Sequence, residues 1–341
     1  MHKAKLKFKL SNFLIALISI LLFFAISEGA LRLIKFRVNQ TGGYFRFKCF
    51  QWSADKYKVP INRQDPILFW RCNDNHEFRG KKYAVLKKIG TFRIICLGDS
   101  TTQGYMLPPI ETDFTETYPY YLEEILNKDN SSIHFEVINA GCGGYSSLQG
   151  VRYLKNELLN FNPDLVIFWF GQNDLIRSIG RRDALQQMPN KVLLRIKLFL
   201  DKSKFYQFYR QLLFYSSSKL SKNEYRVSAE EFYANLSEMQ IVSQSRGIKT
   251  LFITPILRKD NQILSLDERG FGDYSKIFHD LKQGNTVVFD VVDLFKSKKD
   301  GAKYFLDICH TNPEGNRLIA EAIYKTIMEN KLLTKQDAYN N

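Results

Sequence analysis

Ser100 stands in the run IICLGDSTTQG, Ile94 to Gly104, where an apolar stretch stops on Gly-Asp-Ser followed by two threonines. Gly, Asp and Ser are ordinary turn residues, so the tripeptide alone describes a strand ending in a turn. It also describes a hydroxyl presented at the carboxyl end of a strand, where open α/β sheets keep their ligand sites. A serine hydroxyl is a weak nucleophile until an imidazole takes its proton. The imidazole in turn needs a carboxylate to fix its tautomer and stabilise its cation. Of the five histidines, His2 lies in a basic leader, His76 in an irregular stretch, His134 at the start of an apolar run and His279 in a helical pattern. His310 differs, because it sits in YFLDICHTNPEGNRLIAEAI, three residues after Asp307 and just before a helical pattern. Asp307 and His310 supply both missing parts on one loop, although Asp-x-x-His by itself is a common capping or surface arrangement.

Acyl transfer also needs donors for the developing oxyanion, worth about 3 to 4 kcal/mol each. NAGCGGYSS, residues 139–147, can bring backbone N–H groups close because its glycines carry no side chain. GQND, residues 171–174, ends the most hydrophobic run with Asn173, whose amide is a donor of the right kind. Each segment taken singly reads as an ordinary Gly-rich or Asn-rich turn. Asp99, next to Ser100, reads as a residue that holds its loop by hydrogen bonds. Tyr145 and Arg177 are open to substrate contact or to packing.

These segments need a scaffold that brings strand ends together. From Phe92 onward, short β-branched and aromatic runs alternate with amphipathic stretches, the pattern of successive βα units around a parallel sheet. The runs predict strands at 92–97, 135–139, 165–170, 250–255 and 286–292, and helices near 118–128, 147–160, 229–246, 275–282 and 314–330. Ser228-Ala229-Glu230-Glu231 is a capping box opening one of those helices, with Gly247 as its stop. The body is expected over 91–330, with a helical insert at 176–225 that reads as a cap or as packing on that body, with a membrane-surface or substrate-covering lid as the sharper option. Residues 28–90 are expected to be a linker and packing extension, and 331–341 a C-terminal tail.

The 341 residues are 45% hydrophobic and 25% charged, a balance that can bury a full globular core. The net charge of +14 favours anionic partners. No zinc-finger spacing, phosphate-binding glycine run or HExxH occurs, and the basic residues are scattered among aromatics, so a membrane-facing surface is favoured over nucleic acid. The start, MHKAKLKFKL, carries four lysines ahead of one apolar segment, Leu10 to Ser27. Its length, about 18 residues, suits a membrane-spanning helix better than a signal-peptide core. Residues 1–9 are then a cytoplasmic basic tail, 10–27 a transmembrane anchor, and the body is exported, although Arg32, Lys35 and Arg37 weaken the charge asymmetry. Ala25-Ile26-Ser27 offers cleavage as the competing fate. Among the cysteines, Cys49 and Cys72 fall together before the body, where export permits a disulfide. Cys96 reads as a core residue, and Cys142 and Cys309 fall in segments that can come close.

In this order, GDSTTQG, NAGCGGYS, GQND and DICH resemble the four blocks of the SGNH, or GDSL-type, hydrolases. The resemblance covers Phe92 to Ile327. It implies a flavodoxin-like three-layer α/β/α sandwich with a five-stranded parallel sheet, here following an N-terminal transmembrane helix. By position it implies Ser100 as nucleophile and as one oxyanion-hole N–H, Gly144 as the second N–H, Asn173 as the side-chain donor, His310 as base and Asp307 as its orienting carboxylate. No G-x-S-x-G surrounds Ser100, which disfavours the ordinary α/β-hydrolases. The expected activity is hydrolysis of a carboxylic ester, lipid acyl or glycan O-acyl, without cofactor, metal or nucleic acid. An O-acyltransferase using the same triad on envelope polysaccharide and a catalytically silent envelope scaffold are the alternatives.

Overall fold

The computed structural model describes residues 2–36, 64–65, 67–72, 77–104, 112–129, 133–178, 182–186, 191–200, 202–218, 224–283 and 286–333. Cys49 and His76 lie outside the described residues, as do most of the stretch before residue 64 and the end of the C-terminal tail. The chain divides into two compact units, Met1–Lys48 with Pro189–Lys222, and Cys49–Met188 with Asn223–Asn341. Within the insert, residues 189–222 group with the N-terminal segment, and the two roots group with the body.

In the first unit, helix α1 runs His2–Leu33 and so extends beyond both ends of the apolar segment. Its window Asn12–Leu33 is long and apolar enough to cross a membrane, and none of it is buried. At 1.5 Å per residue, 22 residues rise about 33 Å. Among the described residues, this unit also holds helices α5 (Lys191–Leu200) and α6 (Lys204–Ser218). Phe205 of α6 meets Phe23 and Phe24 of α1 edge-on, at ring separations of 5.9 and 4.9 Å.

The second unit is built on strands β1 (Thr91–Gly98), β2 (His134–Asn139), β3 (Leu165–Trp169), β4 (Lys249–Ile253) and β5 (Val287–Phe289). They form one sheet in the order β5-β4-β3-β1-β2, with every neighbouring pair parallel. Parallel strands covered on both faces read as near-continuous apolar runs, and every residue of β1 and β3 is buried. Side chains alternate between faces. Ile95 and Leu97 of β1 join Val166 and Phe168 of β3 in one core, whereas Phe92, Ile94 and Cys96 join Leu165, Ile167 and Trp169 in the other.

Helices α4 (Ser147–Asn156), α7 (Ala229–Gln244) and α8 (Gly272–Gln283) supply Leu154, Phe232 and Phe278 to the first core. Helices α3 (Tyr118–Asp129), α9 (Val291–Lys296) and α10 (Pro313–Glu329) supply Leu122, Phe295 and Ile323 to the second. The result is a three-layer α/β/α sandwich. The capping box at Ser228 forms as its sequence requires, with the Glu231 carboxylate accepting from Ser228 N–H at 2.9 Å. The fifth strand is shorter than its apolar run, because the Asp290 carboxylate accepts from Val292 N–H at 2.9 Å and turns Val291 and Val292 into the start of α9. Leu68, Phe69, Trp70 and Phe78 of the extension are buried in the first core.

Candidate active site

The order β5-β4-β3-β1-β2 reverses direction between β1 and β3, since β2 follows β1 on one side and β3 on the other. A crevice opens at the carboxyl ends of the strands where such a reversal occurs. Gly98 and Trp169 end the two strands opposite each other, so the chain beyond each emerges at the same level. A Cβ on Gly98 would lie 2.7 Å from the Trp169 carbonyl oxygen and closer still to Thr102 Oγ1. Glycine is therefore required for the strand to turn here. Asp99 then caps the one-turn helix α2 (Ser100–Gln103), accepting from Thr101 N–H at 2.9 Å. Ser100 is the first residue of that turn, so its N–H has no intrahelical partner.

After β3, Asn173 donates from its side chain to the other Asp99 oxygen at 2.9 Å. One of its two amide hydrogens is committed there and the other remains. Asp99 is fully buried. Burial raises its carboxyl pKa, while hydrogen bonds from Thr101 and Asn173 favour its charge.

The glycine loop after β2 is tied down from several sides. Asn139 donates to Thr102 O at 2.9 Å and accepts from Gly141 N–H at 3.0 Å. Cys142 N–H reaches Gly98 O at 3.0 Å, and its sulfur forms a disulfide with Cys72. The disulfide that export permits at Cys72 thus joins it to Cys142 and not to Cys49, and Cys309 is a free thiol. The extension folds back onto the body and delivers Cys72 to this loop. Gly143 N–H donates to Gln103 Oε1 at 2.8 Å, and Gly143 O accepts from Trp70 Nε1 at 3.3 Å. Gly144 has φ +80°, and its N–H has no acceptor among the described residues. Of the two adjacent glycines, Gly144 is thus the one with a donor to spare. Tyr145 is buried and donates to Trp70 O at 2.6 Å, and Arg177 lies over the Tyr225 ring, so both take part in packing.

The loop before α10 carries the remaining groups. Asp307 Oδ1 accepts from the N–H groups of Cys309 and His310 at 2.9 and 2.8 Å, which folds the Asp-x-x-His segment onto itself. Leu306 N–H bonds His310 O at 2.8 Å, and Asn312 caps α10. His310 Nδ1 lies 2.8 Å from Asp307 Oδ2, and Nε2 lies 2.8 Å from Ser100 Oγ. Three side chains from two ends of the sequence form one hydrogen-bonded chain. Burial favours the neutral imidazole, but the Asp307 carboxylate outweighs it and raises the His310 pKa from 6.5 to about 10. Burial likewise opposes the Asp307 charge, and the His310 hydrogen bond overcomes it, lowering that pKa from 3.8 to about 2. Cys309 Sγ sits 3.6 Å from His310 Nδ1, and burial raises its thiol pKa. Donor atoms of Asp307, Cys309 and His310 lie within 4.8 Å of one another. A thiol held protonated is a poor metal ligand, and both ring nitrogens of His310 already face partners.

Sequence reading missed Gln103, Trp70, Arg226 and Asp183. Arg226 is buried, pairs with Asp183 at 2.8 Å and donates to Gly144 O at 2.8 Å. Isolated polar residues on an insert root carry no pattern by which to find them.

No curated protein matches the chain in sequence. A lipase/acylhydrolase structure from Enterococcus faecalis is 17% identical, covering 70% of this chain and 96% of that one, with a TM-score of 0.45. An acetylxylan esterase from Geobacillus stearothermophilus is 17% identical, covering 71% and 96%, with a TM-score of 0.46. A GDSL-like lipase from Bacteroides thetaiotaomicron is 14% identical, covering 70% and 88%, with a TM-score of 0.41. The GDSL-like lipase/acylhydrolase family model matches residues 96–318, a span that runs from β1 into α10 and takes in all four motif-bearing loops; the chain belongs to that family and is a carboxylic ester hydrolase.

Proposed function

We propose that this chain is a membrane-anchored, extracytoplasmic serine esterase that cleaves a lipid acyl or glycan O-acyl ester. The observation that carries the reading is the hydrogen-bonded run from Asp307 through His310 to Ser100. Ser100 Oγ attacks the ester carbonyl while His310 Nε2 takes its proton, and Asp307 stabilises the imidazolium that forms. The oxyanion is met by the N–H groups of Ser100 and Gly144 and by the second amide hydrogen of Asn173. Collapse expels the alcohol, which receives the proton from His310. Water, deprotonated by the same imidazole, then cleaves the acyl-enzyme and frees the acid and Ser100.

Two observations support the location. Lysines precede an apolar helix long enough to span a bilayer, which favours a cytoplasmic N-terminus. The Cys72–Cys142 bond fits an oxidising compartment.

The test uses the full chain in detergent with p-nitrophenyl acetate and butyrate, together with a fluorophosphonate probe. Turnover with labelling at Ser100 supports the reading. Absence of both removes it. A protease-protection assay on intact cells tests the topology, with the body expected to be accessible from outside the cytoplasm.

A further inference from the structure

We propose that α5 and α6 form a basic, amphipathic hairpin that lies in the headgroup region of an anionic bilayer, a second membrane contact beside α1. This rests on the reading of α1 as a membrane span. In α5, Val192, Leu193, Ile196, Phe199 and Leu200 are all exposed. Their spacing of i, i+1, i+4, i+7 and i+8 is that of one helical face. In α6, Phe208, Leu212 and Leu213 are exposed at i, i+4 and i+5. A cluster of large aliphatic and aromatic side chains in water is costly unless something covers it.

The hairpin is fastened at the carboxyl end of the apolar window. Glu28 accepts from Ser203 Oγ and from Phe205 N–H, both at 2.8 Å, and from Arg32 Nε at 2.7 Å. Phe36 meets Phe208 at 5.6 Å. These contacts join the first turns of α6 to residues 28–36, at the carboxyl end of the span. The exposed faces of α5 and α6 therefore adjoin a helix whose apolar window has no buried residue.

Charge selects lipid as the occupant. Residues 189–222 carry eight Lys and Arg against the single acid Asp201. A segment that combines an apolar face with such a cationic excess fits acyl chains below and anionic headgroups around them. A second copy of the same hairpin would bring like charges together.

The test places a photoreactive benzophenone side chain at Phe199 or Leu212 of the full chain. Leu21 in α1 and Ile241, an exposed residue of α7, serve as comparison positions. Each protein is reconstituted in phosphatidylcholine vesicles with or without phosphatidylglycerol, and esterase turnover verifies its fold. Lipid adducts at 199 and 212 are expected to exceed those at 241 by about tenfold, and to fall severalfold without phosphatidylglycerol. Adducts at 21 with none at 199 or 212 overturn the hairpin proposal and leave the span standing. Adducts at 199 and 212 with none at 21 retain the interfacial contact and remove the span. Adducts at neither overturn both, and protein dimers at 199 in place of lipid adducts overturn the proposal in favour of self-association.

Discussion

Arg226 donates to the carbonyl oxygen of Gly144 at 2.8 Å, so an insert root holds the glycine loop beside Ser100. The same guanidinium pairs with buried Asp183 and reaches Gln149 Oε1 at 3.2 Å. Truncating Arg226 to Ala strands the Asp183 carboxylate and should cost about 3–5 kcal/mol of stability, read from urea denaturation. The double variant Arg226→Met with Asp183→Leu removes both charges and should recover much of that loss. Its kcat should stay about 10- to 100-fold low, because the Gly144 peptide has lost its positioning donor. Full recovery of both quantities would show that Arg226 acts on stability alone.

Ser100→Ala and His310→Ala should each lower kcat by about 10⁴-fold or more. Thermal melts should be little changed, since both side chains line the site rather than fill a core. Combining the two substitutions should add little further loss, because the groups act as one unit. Unchanged turnover in either single variant removes the role assigned to that residue.

The pH dependence follows from the direction of the His310 shift. The base works only when neutral, so kcat/KM rises as pH increases through the imidazole pKa. Although burial opposes it, the Asp307 carboxylate raises that pKa above 6.5, which places the acid limb of the profile above 6.5. Asp307→Asn removes the raising charge. The limb should then move to lower pH, while the rate falls about 10⁴-fold through the wrong tautomer. A limb that stays in place in Asp307→Asn would show that another group sets it.

Gly98→Ala should destabilise the body by roughly 1–3 kcal/mol, as overpacking does. The new methyl meets backbone at Trp169 and cannot move a flexible side chain aside there. Chemical denaturation gives the loss, and a fall in fluorophosphonate labelling of Ser100 gives its effect on the turn.

Reduction offers a further check. Replacing Cys72 and Cys142 by Ser should cost about 4 kcal/mol, the chain-entropy value for a loop of this length, with 70 positions separating the two residues. Urea midpoints with and without dithiothreitol should differ for the native chain and coincide for the double variant.

The parallel sheet was legible in the sequence because strands covered on both faces must be mostly apolar, as LVIFW is throughout and TFRIICLG is apart from Thr91 and Arg93. Three of the four motif loops were legible because each directly follows such a run, whereas DICH stands beyond β5 and α9, before α10. The pairing of Cys72 was not, since it depends on how an aperiodic extension folds back through Trp70 and Leu68 onto the first core. The partition of the insert was equally hidden. Residues 189–222 have a helical period of their own, but period alone does not say which apolar neighbour a helix will choose. Here Phe205 finds Phe23 and Phe24 of the N-terminal helix. Nothing in the sequence separates Gly143 from Gly144; in the structure the Gln103 side chain occupies the Gly143 N–H and leaves that of Gly144 as the proposed donor.

The Cys72–Cys142 bond also orders events in time. The segment it encloses contains β1, Ser100, α3 and β2, and all of it is synthesised before β3, β4, Asp307 or His310. Early segments fold as the chain emerges. The segment that holds Ser100 can be covalently closed while the loop of Asp307 and His310 is still unsynthesised. On the proposed mechanism the protein is chemically mute through most of its biogenesis, and hydrolysis begins only when the loop of Asp307 and His310 arrives.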